Sequence, residues 1–166
     1  IFTNKGQMHL LKVLDLPLGK FRDKGTPIDN LSNYNSSEEN FGYITNLGAI
    51  RSHKLIFGTK TAMLKIVDGS EFDVAKRTTA ATKLTDGDEV LFVHPVEGDE
   101  TIVMQSERDF FLRIAVDTIP EKKKGAVGVR GMRLADGDAL TAIHLLGEGE
   151  SAQTEVKGMP VMLNRL

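Results

Sequence analysis

The sequence contains no cysteine. A disulfide framework and thiolate metal sites are therefore excluded, and a cytosolic setting is the simplest reading. It has no run of about 18 apolar residues that could span a membrane as a helix, and no signal-peptide pattern at its start. It has no large excess of one charge: the net value is −2. A wholly basic nucleic-acid binder is ruled out, so any electrostatic footprint must come from local clustering. No segment sustains a 3.6-residue apolar period, which predicts little helix. Also missing are a Ser-His-Asp order, a phosphate-cradling glycine motif and a zinc-peptidase motif. No active site is expected in this chain.

What is present is a repeat. The 166 residues are 40% hydrophobic, enough for a folded core. Two short apolar runs, Ile1-Phe2-Thr3 and Met8 to Val13, flank the turn Asn4-Lys5-Gly6 and read as a hairpin. A loop with Lys20, Arg22 and Lys24 follows, and Phe41 to Ile50 reads as a strand kinked at Gly48. The order recurs with Lys54 to Gly58, a turn near Lys60-Thr61, and Ala62 to Val67. It recurs again with Thr101 to Gln105, a turn at Glu107-Arg108, and Phe110 to Ile114. A fourth pass begins at Thr154-Glu155-Val156, turns at Lys157-Gly158 and runs to Leu166. The chain opens and closes inside strand-like segments, which reads as a piece of something longer.

The register of the repeat is tight. Asp86-Gly87-Asp88 and Asp136-Gly137-Asp138 are 50 residues apart, as are Lys83-Leu84 and Arg133-Leu134, and His94 and His144. Three aligned features at one offset predict an all-β, propeller-like array of blades of about 50 residues. The blades fall roughly at 1–50, 51–97 and 98–147, with a partial fourth over 148–166. A lone unit cannot bury both its faces, so neighbouring blades must share a core. Leu10, Leu55, Phe57, Leu64, Ile66, Leu91, Val93, Ile102, Met104, Phe111, Ile114, Leu140 and Ile143 are its candidates.

The stretch Lys122-Lys123-Lys124-Gly125-Ala126-Val127-Gly128-Val129-Arg130-Gly131-Met132-Arg133-Leu134 stands out. Glycine at every third place suits a backbone that turns or runs close to a surface. A lysine triplet is most simply a solvated turn. Here the other units carry basic loops too, and equivalent loops of an array fall on one rim. The candidate cations, in order, are Lys122, Lys123, Lys124, Arg130 and Arg133, then Lys76, Arg77 and Lys83, then Lys20, Arg22 and Lys24. A row of cations on a curved rim suits contact with a duplex backbone, which gives affinity without sequence information. Bending DNA over such a rim costs on the order of 1–6 kcal/mol, so several cations must share the load. The acidic turns, with Glu97 to Glu100 and Glu148 to Glu150, must then lie elsewhere. His94 and His144 read as one structural position occurring twice rather than as metal ligands. The Asp-Gly-Asp segments lack the rest of a calcium loop and read as hairpin turns.

A repeat carrying Phe2-Thr3-Asn4-Lys5-Gly6, then Lys124 to Leu134, then Asp-Gly-Asp resembles the C-terminal domain of bacterial type IIA topoisomerase A subunits. That family includes the A subunits of gyrase and of topoisomerase IV. The likeness covers essentially the whole chain, and Val127 to Leu134 is its most specific part. It implies a β-pinwheel, a propeller variant whose blades exchange strands, here as three blades and part of a fourth. It implies non-specific binding and bending of duplex DNA by the rim, in support of a catalytic core and a separate ATPase subunit. The parent, an ATP-hydrolysing isomerase of the bacterial cytoplasm and nucleoid, would use ATP and Mg2+ through other domains, with no cofactor held here. The DNA-cleaving tyrosine belongs to another domain, so Tyr34 and Tyr43 have no such role. The gyrase box Gln-Arg/Lys-Arg-Gly-Gly-Arg/Lys-Gly is absent; its nearest counterparts are Lys123 to Gly128 and Arg22 to Gly25. Either the box lies outside this chain or the parent is closer to topoisomerase IV. The rival readings are a protein-interaction propeller and a small hydrolytic propeller, the latter disfavoured by the absence of a nucleophile constellation. Self-association through open strand edges is also expected; no membrane partner is.

Overall fold

The computed structural model describes residues 1–164. Arg165 and Leu166, expected from the sequence to end a strand, lie outside the described residues. Four antiparallel hairpins follow one another along the chain. They are β1 (Phe2–Thr3) with β2 (Gln7–His9), β4 (Lys54–Thr59) with β5 (Met63–Asp68), β8 (Thr101–Ser106) with β9 (Phe111–Ala115), and β12 (Ser151–Val156) with β13 (Met159–Asn164). After the first hairpin comes β3 (Phe41–Tyr43). After the second come β6 (Thr78–Ala80) and β7 (Val90–Val96), and after the third β10 (Val129–Arg130) and β11 (Leu140–Leu146).

The two strands after a hairpin have different destinations. The longer one stays: β3 pairs β1, β7 pairs β4 and β11 pairs β8. The short one leaves: β6 pairs β2 of the preceding hairpin, and β10 pairs β5 of the preceding hairpin. The sheets accordingly run β3-β1-β2-β6, β10-β5-β4-β7 and β11-β8-β9, beside the β12-β13 pair. Strands β3 and β11 each pack against β7, so these strands form the inner side, and β6 and β10 form the outer edges. This all-β arrangement with exchanged outer strands is the β-pinwheel.

The core explains why the strands read as continuous apolar runs rather than alternating ones. A strand covered on both faces is apolar at successive positions. Leu55, Phe57, Val67 and Val93 face a cluster shared with Phe2, Met8 and Phe72 of the first sheet and its surroundings. Ile56, Leu64 and Ile66 face the opposite cluster, with Ile102, Met104, Leu140 and Ile143 of the third sheet. Phe2 packs edge-on against Phe72, with centroids 5.2 Å apart and planes at 87°, a favoured aromatic geometry. Leu10, Leu91 and Ile114 are partly buried against these clusters.

Three expectations are corrected. Phe111 is not core: it is 39% exposed on β9, whose outer edge carries no exchanged strand among the described residues. The segment from Phe41 to Ile50 is not one kinked strand. It is β3 followed by a single α-helical turn, α1 (Leu47–Ile50), capped by the Asn46 side chain accepting from Ala49 N. The Asp-Gly-Asp segments are not hairpin turns. Each carries the chain from an outer strand of one sheet to an inner strand of the next, with Gly87 at φ 76° and Gly137 at φ 73°. Those left-handed values favour glycine.

Candidate nucleic-acid interface

The outer segments position most of the basic residues. Arg130 lies opposite Met63 and Ala80 opposite Gln7, so the 50-residue offset of the sequence is also a structural equivalence. On the first sheet, Leu10 N donates to Arg77 O at 2.7 Å and Ala81 N to Gly6 O at 2.8 Å. On the second, Lys122 N donates to Ile66 O at 2.8 Å and Gly131 N to Ala62 O at 2.8 Å. Lys76 and Arg77 therefore sit at the end of the outer edge away from the hairpin turns, as do Lys122, Lys123 and Lys124. Lys83 and Arg133 sit toward the turn end, and Arg130 between.

Backbone proximity accounts for two of the three spaced glycines. A Cβ on Gly128 would lie 2.7 Å from Leu64 O, and one on Gly131 would collide with the Leu64 side chain. A Cβ on Gly125 would meet nothing within 4 Å. The segment between is not a ladder strand. It loops around Lys65, whose buried ammonium donates to Lys123 O, Lys124 O and Ala126 O at 3.1, 2.9 and 2.7 Å. Burial lowers the Lys65 pKa from 10.5 to about 8, a shift that Glu71 opposes and Lys122 reinforces.

The lysine triplet is not uniformly available. Lys124 Nζ donates to Glu71 O at 2.9 Å and Lys124 N to Glu71 Oε2 at 3.0 Å. Lys123 Nζ lies 3.4 Å from Glu71 Oε1. Arg77 is 3.7 Å from Asp15. Among the described residues, Lys76, Lys83, Lys122, Arg130 and Arg133 enter no ion pair. Lys20, Arg22 and Lys24 are on a separate exposed segment with no strand, where Arg22 rests over the Phe21 ring at 5.3 Å. The structure thus places the second- and third-unit cations on equivalent outer segments and leaves the first-unit cations apart.

The Asp-Gly-Asp turns are divided from most of these cations, whereas Glu97 and Gly98 line a pocket with Glu121, next to Lys122. Asp88 takes Thr61 N at 3.1 Å and Thr61 Oγ1 at 2.6 Å, which fixes the Asp-Gly-Asp segment beside the hairpin turn. Arg108 likewise donates to Asp136 O at 3.0 Å. Lys83 and Arg133 share that end with the acids. The Glu97 to Glu100 connection leaves from inner strand β7, with Glu100 accepting from Glu97 N and Gly98 N. One cluster here is missing from the sequence-derived candidates. Glu89 bridges Lys5 at 2.7 Å and Lys60 at 2.6 Å, joining two hairpin turns, and these lysines hold its carboxyl down at about 2. Lys5 and Lys60 stand at equivalent turns, and that recurrence is the signal that could have found them.

His94 lies opposite Ile56 in the second sheet and His144 opposite Val103 in the third, the same position of two units. Tyr34 is buried and donates from its hydroxyl to Glu39 O at 2.8 Å, and Tyr43 packs on Phe2. Both are structural. No group of three or more His, Asp or Glu side chains gathers as a metal site among the described residues. Nor, among them, is any helix long and apolar enough to cross a membrane.

Comparison with known proteins agrees with this architecture. Over 92% of the chain it superposes on 48% of a chain described as the C-terminal domain of DNA topoisomerase IV, with TM-score 0.82 and 22% identity. It matches a DNA gyrase A C-terminal domain with TM-score 0.72 and 21% identity, over 98% of this chain and 53% of that one. These likenesses show the fold. In sequence, it is 31% identical to the DNA gyrase A protein of Lawsonia intracellularis over 89% of this chain and 18% of the relative. It is 28% identical to the DNA gyrase A protein of Rickettsia bellii over 87% of this chain and 17% of the relative. The chain thus spans less than a fifth of these relatives' length. The family model described as DNA gyrase C-terminal domain, beta-propeller, matches residues 53–97 and 100–146, the second and third repeats that exchange outer strands here. Covering more than half of the sequence, that match makes the chain a member of the DNA gyrase A C-terminal domain family.

Proposed function

We propose that the chain binds duplex DNA without sequence preference along its outer edge and bends it. It would do so as part of a type IIA topoisomerase A subunit, presenting the duplex to a catalytic core that works with an ATPase subunit. The cleavage chemistry and any ATP and Mg2+ would belong to other domains of that cytoplasmic enzyme. One observation carries the reading: the equivalent outer segments of neighbouring sheets both carry cations, Lys76, Arg77 and Lys83 on one and Lys122, Arg130 and Arg133 on the next, although only Lys83 and Arg133 recur at the 50-residue offset itself. A polyanion following that edge meets Lys76 and Arg77, then Lys122 and Arg130. Lys123 and Lys124 contribute less, because Glu71 already engages them. Lys83 and Arg133 approach the acidic turns, and Lys20, Arg22 and Lys24 extend the charge on a separate arm.

A plot of log affinity against log salt tests this. Each phosphate neutralised contributes about −0.9 to the slope for duplex DNA. A steep negative slope, flattened when Lys122, Lys123 and Lys124 are replaced by glutamate, is the expected result. A flat plot for the unmodified chain removes the reading and favours a protein-binding propeller. The uncovered edge of β9, with exposed Phe110, Phe111 and Leu112, supports self-association. Sedimentation showing only monomer at high concentration counts against it.

A further inference from the structure

We propose that Lys65 is a positioning residue that folds the basic loop from Lys122 to Ala126 and so presents its cations at the outer edge. The contact stands on geometry alone; only its consequence for duplex binding rests on the proposed DNA-binding function.

Lys65 sits in the middle of β5 and is 1% exposed. An ammonium has three N–H donors. All three find carbonyls of one loop, those of Lys123, Lys124 and Ala126. No carboxylate lies within 4.0 Å of it among the described residues. A buried ammonium without a paired counter-ion is costly, and an apolar side chain would fill the place at lower cost. The equivalent positions, third after the left-handed turn residue, are His9 after Gly6 and Leu112 after Asp109, so neither neighbouring unit has a lysine there. The cost is offset by what the lysine does. It satisfies the inward carbonyls of Lys124 and Ala126 and shares that of Lys123 with Ala126 N, because beyond the Lys122 N–Ile66 O bond this loop, unlike the flanking Val129–Arg130 strand, runs off the ladder.

Glu71 holds the same loop from the other side, through Lys124 N and the Lys123 ammonium. Between these anchors, Lys122 is the member of the triplet that Glu71 does not engage. The charged groups facing Lys65 are Glu71 from the turn after β5 and Lys122, Lys123 and Lys124 from the loop; the Phe57 ring of β4 lies 5.7 Å away. The closed loop holds Lys65 at a pKa of about 8, whereas a solvated lysine titrates near 10.5. The open form therefore binds more protons between these values.

The test is Lys65→Met in the whole chain. Cleavage by trypsin after Lys122, Lys123 or Lys124 should accelerate at least about tenfold, while the melting temperature holds or rises. Cleavage no faster than in the parent overturns the proposal. In the same variant duplex affinity should fall severalfold with the salt slope unchanged, since no exposed cation is lost. A loosened loop with undiminished affinity upholds the positioning role and removes the DNA reading. Should Lys65→Met fail to fold, the Lys65 Cε resonance of the unmodified chain is titrated. A midpoint near 8 supports the buried contact, and an ordinary lysine midpoint near 10.5 overturns it.

Discussion

The outer segments laid along β2 and β5 occupy the same position in two units, yet they are fastened differently. Along β2 a continuous backbone ladder holds the outer strand, and one side-chain contact from a buried imidazole supplements it. His9 reaches Thr78 Oγ1 at 3.0 Å and Glu39 Oε1 at 2.7 Å, through both nitrogens of a buried imidazole. Along β5 a buried ammonium holds the main chain of a loop. Lys65 takes three carbonyls, and two glycines allow the backbone to lie against Leu64. The same pleat position thus supports a regular three-residue strand in one unit and a wound loop in the other. The difference decides charge presentation. The regular strand leaves Lys76 and Arg77 at its start, whereas the loop concentrates three lysines and ties two of them to Glu71.

The sharpest way to break the comparison is to exchange the two fastenings. Gly128→Thr puts the residue of the equivalent place, Thr78, where a Cβ would lie 2.7 Å from Leu64 O. Backbone cannot yield as a flexible side chain does, so a loss of about 3 kcal/mol or more is expected in urea unfolding. The reverse change, Thr78→Gly, removes a hydrogen bond to buried His9 and should cost about 1–2 kcal/mol. If the two losses come out equal, the units are held alike and the distinction fails.

The turn end differs between units as well. Glu89 joins Lys5 and Lys60, while the residue in its place 50 positions on is Ala139. Glu89→Ala should cost about 1 kcal/mol, since charge-assisted bonds at partly exposed sites are worth little more. The pH sign follows from its depressed pKa. The contribution is fully present above the ordinary carboxylate value of 4.5 and is lost as pH falls toward about 2. Urea midpoints at neutral pH and at roughly pH 2.5 check this: the parent should lose more stability between them than the variant does.

The smallest effects concern single cations. Arg77→Ala or Lys122→Ala should each flatten the salt slope of duplex binding by about 1 if the residue meets a phosphate. Lys20→Ala or Lys24→Ala, on the arm outside the outer strands, should change it less. Equal changes at all four positions would mean that the outer edge holds no advantage over the arm.

Much of the fold is legible in the sequence because a repeat leaves a periodic trace. The recurring Asp-Gly-Asp, the hairpin turns and the paired histidines locate the units without any contact information, and His94 and His144 do occupy one position twice. Phe111 misleads because its apolarity resembles that of Leu64, its counterpart, while its burial depends on an outer strand that β5 has and β9, among the described residues, does not. The stretch from Phe41 reads as one strand because the helical turn that Asn46 caps is too short to leave a period. The site is legible as a list of cations and illegible as an arrangement. Lys65 reads as one polar residue on an otherwise apolar strand, and nothing local marks Glu71 as the partner of Lys123 and Lys124.

The amino-acid order alone determined the repeat, the all-strand class, the places where the chain turns and which segments carry positive charge. These depend on neighbours in sequence: turn chemistry, apolar runs and a fixed offset. The tertiary structure decided which hairpin each outer strand joins, which lysines remain unpaired and that an ammonium lies inside the basic loop. Those outcomes depend on pairings such as Val129 with Leu64, between residues far apart in the chain, where backbone hydrogen bonding and desolvation act only once the sheets have assembled.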